Sequence, residues 1–132
     1  MESRRDPFVP RAAPKEADPV EAIMACLKQD AVVGEYAEGL IGRVGTLENR
    51  PRYIEIGHTR EHPVAESASE GHLVTVHVWS KCPGSEEVLD VLHAAERAIA
   101  AMDHRRALKR EFTEVRYDDR NASQHGLLRL RF

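Results

Sequence analysis

The chain has 132 residues, 42% hydrophobic and 31% charged, with 19 basic against 22 acidic side chains and a formal net charge of -3. That length suits one domain of about 100–150 residues around a single core, and the composition excludes a disordered or fibrous chain. The charge balance argues against a dedicated nucleic-acid binder, and without an apolar run near the roughly 18 residues of a spanning helix, or a basic-then-apolar leader, neither a membrane nor a secreted protein is expected.

Residues 1–17 hold three of the seven prolines and no apolar periodicity. They read as a flexible Pro-rich arm, either a free tail or a segment that orders against a partner. A single domain is expected over 18–132. It opens with Asp18-Pro19-Val20-Glu21, in which Asp18 can cap a helix, Pro19 fits its first position and Glu21 can complete a capping box. Val20, Ile23, Met24 and Leu27 then fall on one helical face, and the helix is expected to stop near Asp30. Gly34, Gly39, Gly42 and Gly45 mark 34–49 as loop, with at most a short strand around Arg43–Leu47.

Alternation places strands at Arg52–Gly57, with Ile54 and Ile56 on one face, and at His72–Ser80, with Val74, Val76 and Val78 on one face. Pro83-Gly84 breaks the chain and Ser85 is placed to cap a second helix through Met102. Its stripe is Val88, Val91, Leu92, Ala95, Ala98, Ile99 and Met102, with Glu86 and Glu87 at the positive end of the dipole. Two further strands, Glu111–Asp118 and Gln124–Phe132, are joined by the turn-forming run from Asp118 to Ser123. The expected fold class is α+β: an antiparallel or mixed four-stranded sheet covered on one face by two amphipathic helices. The other face, with Glu55, Thr75, His77, Trp79, Glu114, Arg116, Arg129 and Arg131, is either solvated or used in a contact, and Trp79 favours contact.

The segment from His58 to Gly71, fourteen residues with Glu61, Glu66 and Glu70 against Arg60, reads as a long acidic loop of the kind that carries function. No nucleophile elbow, dinucleotide fingerprint or phosphate loop is present. His58-Thr59-Arg60-Glu61-His62 spells an inverted zinc-protease motif, but that chemistry needs both histidines on one helical face, and Gly57 and Pro63 flank a segment with no stripe to dock a helix. His72, His77, His93, His104 and His125 are scattered, and the cluster Arg105, Arg106, Lys109 and Arg110 reads as a solvated helix end. Cys26 and Cys82 read as free thiols. No catalytic residue, metal or cofactor is therefore expected.

The order of elements resembles the small tail-completion, or tail-terminator, proteins of long-tailed phages and phage-derived gene transfer agents. The resemblance rests on Val20–Leu27, on Pro51-Arg52-Tyr53-Ile54-Glu55-Ile56-Gly57, and on Gly71-His72-Leu73-Val74-Thr75-Val76-His77-Val78-Trp79-Ser80. It continues in the helix Glu86–Met102 and the closing strand His125-Gly126-Leu127-Leu128-Arg129-Leu130-Arg131-Phe132. It covers most of 18–132, and the arm before it is longer than in much of the family. The resemblance implies a virion assembly protein, not an enzyme. Such a protein forms a hexameric ring at the head–tail junction, ends tail-tube polymerisation, receives the head-tail connector or stopper, and lets DNA pass without specific binding. On that expectation His58, Arg60, Glu61, His62, Glu66 and Glu70 form a contact loop for tube or connector. Glu55, His77, Trp79, Arg116, Arg129 and Arg131 then line the channel or a subunit interface. A head-tail stopper or adaptor is the alternative within assembly proteins; a small enzyme or ligand-binding domain would need a deep apolar pocket with a convergent acid or histidine.

Overall fold

The computed structural model describes residues 19–47, 50–61, 71–102 and 109–131. The arm, Asp18, His62, Glu66, Glu70, Arg105 and Arg106 lie outside them. The elements run α1 (Pro19–Gln29), α2 (Ala31–Ala37), β1 (Ile41–Arg43), β2 (Arg52–Glu61), β3 (Gly71–Ser80), α3 (Glu86–Ala100), β4 (Lys109–Asp118) and β5 (Ser123–Arg131).

The α+β class holds, and the sheet is mixed, one of the two expected forms; among the described residues it has five strands rather than four, and three helices rather than two accompany it. Both differences arise in the stretch read as loop. Asp30, expected to end the first helix, starts another: its carboxylate accepts from the backbone N–H groups of Val32 and Val33 at 3.1 and 3.0 Å, which caps α2. Gly34 is not a loop glycine. A Cβ there would stand 2.8 Å from the Lys28 carbonyl oxygen, so its bare backbone lets α2 fold tightly back on the end of α1. The helix then stops with Glu38 and Gly39 at positive φ, and the short strand falls at Ile41–Arg43, before the position expected for it.

β1 pairs parallel with β2, Ile41 opposite Ile54 and Arg43 opposite Ile56. The chain must therefore return from the level of Ile56 to that of Arg52, four residue rises or about 13 Å. That is feasible without a helical crossover because β1 has only three residues. The other neighbours are antiparallel, in the order β1-β2-β3-β5-β4. The β2–β3 pairing is also longer than expected, continuing through Arg60↔His72 to Glu61↔Gly71.

One sheet face is covered. Ile54 and Ile56 of β2, Val74, Val76 and Val78 of β3, and Leu128 and Leu130 of β5 are all buried there. Against them pack Val20, Ile23 and Leu27 of α1, Val33 of α2, and Val88, Leu92 and Ile99 of α3. The expected stripes are thus the core. α3 comes unusually close to β5 because Gly126 has no side chain: a Cβ there would stand 2.4 Å from Val88 Cγ1 and 2.8 Å from Leu92 Cδ1. Ser85 occupies the N-cap position of α3, but its hydroxyl makes no capping bond. The adjacent corner is tied instead by Glu87, which accepts from Arg52 Nε at 3.1 Å and from the Ser80 hydroxyl at 2.9 Å.

Candidate functional site

Because side chains alternate along a strand, the register fixes what shares the uncovered face. One row crosses four strands as Tyr53, Trp79, His125 and Arg116; the next carries Glu55, His77, Leu127 and Glu114; a third carries Gly57, Thr75 and Arg129. The structure therefore brings together the six residues expected there, Glu55, His77, Trp79, Arg116, Arg129 and Arg131. Three further residues join them: Tyr53, His125 and Leu127. Their strand alternation carried the signal, since His125 and Leu127 alternate with Leu128 and Leu130 along β5.

Trp79 is the centre of the face. Its indole lies flat on His125, with centroids 3.8 Å apart and planes at 5°, and Tyr53 stacks more loosely on it at 6.1 Å and 16°. Its ring N–H donates to Glu55 Oε1 at 3.2 Å, while the other oxygen of Glu55 accepts from the backbone N–H of Gly45. A carboxylate thereby holds the indole and the turn after β1 at once. From the helix side, the Tyr36 hydroxyl donates to the Trp79 carbonyl, and burial holds that phenol well above its usual range.

A diagonal bond links the first two rows: His77 Nδ1 lies 2.9 Å from His125 Nε2. Two imidazole nitrogens at that distance share one proton, one ring donating and the other accepting. His125 is only 6% exposed, and its pKa is pushed down to about 4, by burial first and then by His77 and Arg116, with Asp118 opposing. His77 is also lowered, chiefly by burial, although Glu55 acts the other way. Both rings are thus held neutral near neutral pH. Arg116 pairs with Glu114 and Arg131 with Glu111, which leaves the face polar and nearly charge-balanced.

The expected contact loop is partly strand. His58, Thr59, Arg60 and Glu61 belong to β2 and Gly71 to β3, and the rest of the expected loop, 62–70, lies outside the described residues. His58 and Arg60 lie on the helix-covered side of the strand. There His58 Nε2 meets His72 Nδ1 at 2.9 Å, a second imidazole pair. The extended backbone of 58–61 also removes the helical geometry that the zinc-protease spelling requires.

Among the described residues, no group of three or more His, Cys, Asp or Glu side chains is placed to hold a metal ion. A broad cleft of about 570 Å³ between α2 and α3 is lined by Glu35, Glu38, Glu86, Asp90 and Arg52 beside Val32 and Tyr36. It is open and acidic, unlike the deep apolar pocket that ligand binding would require. Cys82 is a free thiol that accepts from Arg52 Nη2 at 2.8 Å; the other free thiol, Cys26, donates to the Ala98 carbonyl.

Comparison with known proteins completes the picture. A family model described as tail completion protein gp17 matches residues 21–132. Among solved structures, a chain of the virion of a native gene transfer agent particle superposes with a TM-score of 0.72 at 15% identity, covering 91% of this chain and 96% of that one. At that identity the likeness is one of fold. A search of curated protein sequences finds no match.

Proposed function

The chain belongs to the tail completion protein gp17 family, matched over residues 21–132, and on that premise we propose that it is a tail terminator. It is a structural protein of a phage-type tail. In the proposed role six copies close a ring on the last layer of the tail tube, end its polymerisation and present a surface to the head-proximal connector. It performs no catalysis.

The family match carries this reading, and the shape of the molecule supports it. One sheet face is sealed by helices while the other is laid out as ordered rows of side chains, half-buried or exposed apart from His125 and Leu127, as a contact or lining surface requires. A net charge of -3 and arginines paired with glutamates suit a ring through which DNA passes, because unpaired cations would add phosphate contacts and slow it. β2 and β3 pair as far as Glu61↔Gly71, a stiff mount on either side of the segment 62–70 that is proposed to touch tube or connector.

Tube capping tests the proposal. Added to growing tubes of the cognate tail-tube protein, the full chain should halt elongation. Replacing 62–70 by Asn-Gly, a two-residue turn suited to hairpin closure, should leave folding intact and abolish the halt. Tubes that keep growing with the wild-type chain would overturn the assignment.

A further inference from the structure

The cleft between α2 and α3 gathers the largest group of unpaired carboxylates among the described residues. Most other acids there are bonded: Glu21 to Arg43, Glu96 to Arg110, Glu111 to Arg131 and Glu114 to Arg116, while Asp30 and Asp118 accept backbone N–H groups. Glu35, Glu38, Glu86 and Asp90 are exposed and line the cleft with no side-chain hydrogen bond or ion pair among the described residues; only Glu87, held by Arg52, is compensated. Like charges facing one cavity repel, so a cation brought among them is favoured. Beside them Val32 is 47% exposed and offers apolar surface in the same cleft. The occupant that suits this lining is a cationic segment with apolar side chains. We infer that the chain's own N-terminal arm fills it, through residues 4–11, with the arginines on the carboxylates and Phe8-Val9 against Val32.

Three observations commit the cleft to this segment. The first is charge complementarity. Arg4-Arg5-Asp6-Pro7-Phe8-Val9-Pro10-Arg11 carries three arginines against one aspartate, around an apolar pair, and the arginine fork matches carboxylate geometry. Pro7 and Pro10 favour an extended backbone in the residues before them, a form that can lie in a cleft between two helices. The second is reach. Arg11 and Arg4 stand eight and fifteen residues before Pro19, where α1 begins, so an extended chain carries them about 26 and 50 Å. A domain of this size has a radius of gyration of about 13 Å, and the cleft therefore lies within range of the arm. The third is the tether itself. Attachment to α1 holds the arm near the cleft at an effective concentration of order millimolar, so pairs that are individually weak suffice and a second copy's arm is outcompeted. The inference stands apart from the tail reading and concerns the free chain.

The test reads the position of the arm in the purified full chain by photo-crosslinking from Phe8→p-benzoylphenylalanine. The expected product keeps the mass of one chain, with the linked peptide inside 31–38 or 86–91. Glu35→Lys with Asp90→Lys, both at exposed positions, should lower that product at least tenfold. Arg4→Glu with Arg5→Glu should do the same without touching the folded domain. Asp119→Lys, at an exposed acid in the turn before β5, should leave the product unchanged. A link to the cleft at twice the chain mass would overturn docking of the arm on its own domain. No link, links confined to other surfaces, or links indifferent to both pairs of charge reversals would overturn the docking altogether. The experiment needs neither tube nor particle, so its failure leaves the tail assignment standing, and a failure to cap tubes leaves the docking standing.

Discussion

His125 shows how a residue unremarkable in the sequence acquires a defined role from register. Its ring lies under Trp79, shares a proton with His77 and is nearly inaccessible to water. Burial is the main reason that it resists protonation until about pH 4. The ordinary histidine pKa is about 6.5, so on acidification below that value the unfolded chain takes up a proton that the folded one refuses. The stability from burying the neutral ring is therefore complete above about pH 6.5 and is lost as the pH falls towards 4. A shift of that size corresponds to about 3 kcal/mol at most. Urea midpoints of the wild-type protein should fall between pH 6.5 and 4, and those of His125→Gln should fall less steeply. Parallel curves would mean that this imidazole is not the group responsible.

The helical elements were legible where their periodicity was long. The stripes of α1 and α3 and the alternation in four strands became the core, because spacing alone tells which side chains can share a face. α2 was hidden for two physical reasons. At seven residues it is too short for periodicity to emerge, and its Gly34 imitates a loop signal although it serves close packing against Lys28. α1 does end at Gln29, next to Asp30, but the Asp30 side chain at once caps a second helix. Asp30→Ala removes both capping bonds and should cost about 1 kcal/mol, seen as a lower thermal midpoint with β-sheet circular dichroism retained. An unchanged midpoint would mean that packing against α1 and α3 holds α2 without its cap. The parallel strand β1 was equally hard to foresee, since three residues and a short return carry no pattern of their own.

At the scale of the molecule, the sequence divided the sheet into a covered and an uncovered face because hydrophobic alternation encodes that division. It did not disclose the stacking on the uncovered side, where Tyr53, Trp79 and His125 meet only through the pairing of three separate strands. The same layout suits the proposed assembly. A sheet with one face sealed by helices can meet neighbouring copies through its other face or its ends, but not through the sealed one, which suits a ring. Light scattering across concentrations should show a species near 90 kDa, six chains of 14.9 kDa. A mass fixed at that of one chain would mean that the ring closes only on the end of a tube.

The stacking around Trp79 has a practical consequence. It is the only tryptophan in the chain, so the protein carries a single indole fluorophore, selectively excited apart from its tyrosines, on its uncovered sheet face, pressed against an imidazole and bonded to a carboxylate. Whatever settles on that face changes the polarity and quenching around one indole and no other. Docking can thus be followed as a change of emission from the unlabelled protein, with no dye to disturb the surface being measured.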